Sequence, residues 1–108
     1  MSVKAVKLGN GAGSFVDAIF PGTSQKVAFT GTSAQSAALG ASTSVVEVIS
    51  TQNCHIKTGE DPTATADGTS MYLPANVMRR IAIVGGHKIA AIQDSSGGNL
   101  FITEAASV

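Results

Sequence analysis

Arg79-Arg80-Ile81-Ala82-Ile83-Val84-Gly85-Gly86-His87-Lys88-Ile89-Ala90-Ala91-Ile92-Gln93 consists of two short runs rich in β-branched residues on either side of paired glycines. Runs of this length and composition, bounded by turn residues, are strands rather than helices. The Gly-Gly pair can supply the positive φ angles of a tight reversal, so the stretch predicts a β-hairpin with its turn at 84–87. The segment Ile89-Ala90-Ala91-Ile92 is apolar on both faces of a regular strand, which implies burial on both sides or an outer face packed on a neighbour.

The same grammar extends in both directions. Short apolar runs separated by Gly, Pro, Asn, Asp and Ser predict further strands over 25–30, 44–50, 53–58, 70–74 and 99–103. Two more links are expected to be hairpins, one at 94–99 with Gly97-Gly98 and one at Thr51-Gln52. Residues 31–43 predict a loop that could hold a short helix over 34–39. Residues 59–69, with Glu60-Asp61-Pro62 and Asp67-Gly68, predict a polar excursion, since Pro62 cannot donate to a ladder. About seven short strands at a spacing of roughly 8–12 residues predict an all-β domain, an antiparallel β-sandwich or jelly-roll-like barrel. No helix of ordinary length fits.

Residues 1–24 differ in composition, because Gly9, Gly11, Gly13, Ser14, Pro21, Gly22 and Ser24 interrupt every periodicity. They are read as a glycine-rich N-terminal arm ahead of a β domain at 25–108. Phe15, Ile19 and Phe20 are unusual in a disordered tail, so the arm is expected to order through contacts.

The 108 residues suffice for one domain with one core. Only 13 % are charged, against about 25 % in ordinary soluble domains. Ala, Ser, Thr and Gly must therefore form much of the outside, a surface suited to being covered. Seven basic residues balance seven acidic ones, which removes the attraction behind sequence-independent nucleic-acid binding, and no direct nucleic-acid contact is expected. No apolar run is long enough for a membrane helix, so no membrane partner is expected. Cys54 is the only cysteine, so no intrachain disulfide can form. The start Met1-Ser2-Val3-Lys4 lacks the apolar stretch of a secretory signal, which points to synthesis and folding in a reducing cytoplasm.

Candidate chemistry is sparse. Cys54 and His55 are neighbours and would point to opposite faces of a strand, so they cannot share a metal ion without a bulge. Cys54 instead reads as a small buried hydrophobe. Glu60, Asp61 and Asp67 match no calcium-loop spacing and read as a solvated turn. The glycines at 9–13 lack the strand, helix and Lys-Ser/Thr pair of a phosphate loop. Phe29, Tyr72 and Phe101 fall on strands, where aromatic residues ordinarily join the core. No acid, base and nucleophile set is visible, so the reading is a non-enzyme with no catalytic residues, metal or cofactor.

From Cys54 onward several stretches, Cys54-His55-Ile56-Lys57-Thr58-Gly59, Met71-Tyr72-Leu73-Pro74-Ala75, Gly86-His87-Lys88-Ile89-Ala90-Ala91-Ile92 and Asn99-Leu100-Phe101-Ile102-Thr103-Glu104, resemble small virion-associated proteins of tailed bacteriophages. Val27-Ala28-Phe29-Thr30-Gly31-Thr32-Ser33-Ala34 is similar too, so the likeness covers the last three quarters of the chain and leaves out the first 24 residues. The resemblance implies a capsid decoration, or cement, protein on the virion surface. Its partners would be the major capsid protein and sister copies in a homodimer or homotrimer. A head-to-tail connector, collar, fibre or tail component is the alternative within the virion, and a glycan-binding β-module is the alternative outside it. Phe15, Phe20, Tyr72, Arg79 and Arg80 are the expected contact residues, since aromatic and arginine side chains dominate interface energetics.

Overall fold

The computed structural model describes residues 18–106. Eight strands run in chain order: β1 (Phe20–Phe29), β2 (Ala34–Gln35), β3 (Val45–Ser50), β4 (Cys54–Gly59), β5 (Met71–Leu73), β6 (Arg79–Ala82), β7 (Lys88–Gln93) and β8 (Gly98–Ala106). No helix occurs among the described residues. All pairings are antiparallel, in two four-stranded sheets of order β1-β8-β3-β6 and β2-β7-β4-β5.

The pairing is nested: β1 lies beside β8, β2 beside β7, β3 beside β6 and β4 beside β5. Consecutive strands therefore change sheets at every step except from β4 to β5. This corrects the three expected hairpins. Residues 51–52, 84–87 and 94–99 are corners that carry the chain from one sheet to the other. Turn residues report a reversal of direction, but they do not choose the strand with which the next run pairs. At 84–87 the reversal is real, because the His87 N–H donates to the Val84 carbonyl at 3.1 Å and Gly86 has φ 81°.

The extra strand, β2, lies in the stretch expected to be loop. Ala34 and Gln35 pair with Ala91 and Ala90 of β7. The Ser36 and Leu39 N–H groups continue onto the Ile89 and His87 carbonyls. An open strand edge took the backbone groups that a local helical turn would have used. β1 begins at Phe20, within the lead-in assigned to the arm, and pairs with β8 through an irregularity between Pro21 and Ser24. Residues 1–17, including Phe15, lie outside the described residues.

The two sheets share one core. Val27, Phe29, Val46, Val48, Leu100 and Ile102 project from the first sheet, and Cys54, Ile56, Leu73, Ile89 and Ala91 from the second. Phe29 thus lies inside, whereas Tyr72 and Phe101 are exposed, contrary to the expectation that all three would be buried. Alternation along each strand decides the matter: Leu100 and Ile102 face in, so Phe101 must face out.

Candidate interaction surface

Among the described residues, four of the seven exposed large apolar side chains share one edge, while Phe20, Val84 and Phe101 stand apart from it. β5 and β6 are the end strands of their respective sheets, and the five residues between them keep those two edges on one side of the molecule. Met71, Tyr72, Val77 and Met78 are all exposed along this edge, Tyr72 at 46 % and Met78 at 49 %. Tyr72 projects from β5 beside His55 of β4, with ring centroids 5.3 Å apart and planes tilted by 59°. His55 is buried, and its Nε2 lies 2.9 Å from Asp94 Oδ1. Cys54 points the other way into the core, where burial pushes its thiol up, opposed by the Ser50 side chain.

Of the expected contact residues, the structure brings three together. Tyr72, Arg79 and Arg80 lie at the β5–β6 edge. Arg79 is exposed there. Arg80 is half-buried and donates from Nη2 to Glu47 Oε2 at 2.6 Å. Phe20, 52 % exposed, stands apart at the start of β1, the opposite edge of the first sheet.

Sequence reasoning missed Met71, Val77 and Met78, whereas Ile49 belongs to a strand that reads as apolar on both faces. Val77-Met78 immediately before Arg79 was the available signal, but only the strand order shows that they share an edge with Met71 and Tyr72. Ile49 joins them through the first sheet, since it pairs with Phe101 and lies next to Val48, which pairs with Arg79.

The 59–69 excursion is anchored to β2. Gln35 Nε2 donates to Asp61 Oδ1 at 2.6 Å and to the Pro62 carbonyl at 2.9 Å, and the Ala64 N–H donates to Ser33 Oγ at 2.9 Å. Pro62 and Ala64 are buried in consequence. Asp67 holds the tip of the loop. It accepts from the Thr69 hydroxyl, the Thr65 hydroxyl and the Thr69 N–H, which together lower its carboxyl to a pKa of about 2.

Compared with protein-family models, with curated proteins and with solved structures, the chain matches none.

Proposed function

We propose that the protein is a non-enzymatic structural component of a tailed-bacteriophage virion, a capsid decoration protein with a jelly-roll fold. The observation that carries the contact role is the apolar β5–β6 edge, where four large side chains and Arg79 stand exposed within nine residues, Met71 to Arg79. An apolar strip with a cation at its border fits a protein surface that presents a carboxylate within an apolar patch. In this reading Met71, Tyr72, Val77 and Arg79 meet the major capsid protein, and Met78, at the border of the edge, is left to the contact between sister copies. The nested strand order, with β8 between β1 and β3 and β7 between β2 and β4, supports the jelly-roll reading, since it is the order of a two-stranded ribbon rolled over itself. The placement on the particle rests on the resemblance read from the sequence.

Quantitative mass spectrometry of purified virions against the major capsid protein tests this. A copy number equal to the capsid subunits, or to a simple fraction of them, is expected. A few tens of copies per particle would move the protein to a vertex, collar or tail, and absence from the particle would overturn the structural role. Exposed Tyr72, with His55 beside it and Asp94 bonded to that histidine, favours a second reading as a glycan-binding module. Binding on a glycan array that is lost in Tyr72→Ala would establish it.

A further inference from the structure

We propose that two copies of this chain associate through the outer faces of their β1-β8-β3-β6 sheets, about a two-fold axis that runs along the strands between β8 and β3. The inference rests only on the sister-copy part of the preceding reading, so absence of the protein from virions would leave it standing.

The register sets the outer-face side chains in rows across the strands. One row runs Lys26, Phe101, Ile49, and Met78, which directly precedes the Arg79 paired with Val48, stands at its β6 end. Phe101 is 42 % exposed and Ile49 half-buried. The next row is Ser24, Thr103, Glu47 and Arg80. Its charges are already matched by the Glu47–Arg80 pair, and Ser24 and Thr103 share a hydroxyl hydrogen bond of 2.9 Å. A flat face with an apolar row and an internally neutralised polar row can be covered without stranding a charge.

Symmetry selects the occupant. A two-fold axis along the strands reverses each row, so Phe101 meets the partner's Ile49 and Met78 meets the stem of the partner's Lys26, whose ammonium remains at the rim. In the polar row, Thr103 meets the partner's Glu47 and Ser24 meets the partner's Arg80, hydroxyl against charge. An axis across the strands along the first row would instead stack Lys26 on Lys26, one along the second row would stack Glu47 on Glu47, like on like, and one between the rows would set Ile49 against Glu47 and Phe101 against Thr103, apolar against polar. The face is thus self-complementary in one orientation, as an isologous contact requires. Nine residues of β8 span about 30 Å and four strands about 19 Å. Under this axis, however, β8 overlies only the six residues of the partner's β3 and β1 only the four of its β6, so the strands cover about 300 Å² per copy, the size of a weak, concentration-dependent contact.

Sedimentation of the full chain tests the contact. A concentration-dependent dimer is expected, and Phe101→Glu and Ile49→Glu should each yield monomer while keeping the wild-type β spectrum in circular dichroism. Should Ile49→Glu fail to fold, Phe101→Ser gives the same readout at an exposed position. Mixing Phe101→Cys chains with Ile49→Cys chains and adding a bis-maleimide that spans the ~10 Å between stacked sheets should favour the mixed cross-link over either self-cross-link. A monomer at every concentration, or a dimer that survives Phe101→Glu, overturns the proposal. A preferred Phe101→Cys self-cross-link overturns the axis. Protection of the Phe101→Cys thiol that is relieved by removing residues 1–17 would show the chain's own N-terminal segment on the face, which also overturns it.

Discussion

At the residue scale, Asp67 shows how a charged side chain acquires a structural role that its neighbours alone reveal. Read singly it is a turn acid before glycine. In the fold its carboxylate gathers the Thr65 and Thr69 hydroxyls and the Thr69 N–H at the tip of the 59–69 loop, and Gly68 beside it takes φ 93°. These bonds favour the ionised form and lower the carboxyl from 3.8 to about 2. A depressed folded-state pKa stabilises the fold above the unfolded value and loses that contribution as pH falls through the folded one. Melting temperatures of wild type and Asp67→Asn should therefore differ above pH 4 and converge between roughly pH 4 and 2. A difference that stays constant across that window would mean that the carboxylate's charge plays no part in holding the loop. The residue types and spacing pointed to a turn, but the threonine partners were not legible, because hydroxyl direction depends on the loop path.

At the scale of elements, seven of the eight strands were legible within a few residues, since β-branched runs and their Gly, Pro and Asn boundaries are local signals. β2 was not, for it exists only because β7 offers an edge. Nor were the sheet changes. The corner at 84–87 makes the difference concrete, because its two glycines are equivalent in sequence and distinct in space. Gly86 needs its positive φ. Gly85 needs its missing side chain, since a Cβ there would sit 2.0 Å from the Ala41 carbonyl oxygen. Gly85→Ala must displace the 40–41 backbone and should cost more than about 2 kcal/mol. Gly86→Ala meets no atom within 4 Å and should cost only the 1–2 kcal/mol, approximately, of a left-handed conformation. Urea unfolding of both variants checks the order; equal losses would mean that the corner does not pack as described.

At the scale of the whole molecule, the small charged fraction and the strand order have a joint consequence. The sequence showed that the surface was poorly charged, and it named Tyr72 and the two arginines. It could not place Phe101, Ile49 and Met78 in one row, because that row crosses strands taken from the end, the middle and the later half of the chain. With the row assembled, the forces that hold two copies together can be stated. The charges on the face are satisfied within each copy, and Lys26 lies at the rim, so association must come from burial of apolar surface. Such a contact responds to ions in the opposite sense to a charge-driven one. Raising sodium chloride from about 0.1 M to about 1 M shortens the Debye length from about 10 Å to about 3 Å. That change should leave the dimer dissociation constant within about threefold, whereas sulfate at equal ionic strength should tighten it, because sulfate is excluded from apolar surface. A tenfold or greater weakening in sodium chloride would instead assign the contact to exposed charges such as Arg79 or Glu60, which lie off this face, and would exclude the apolar row as the seat of association.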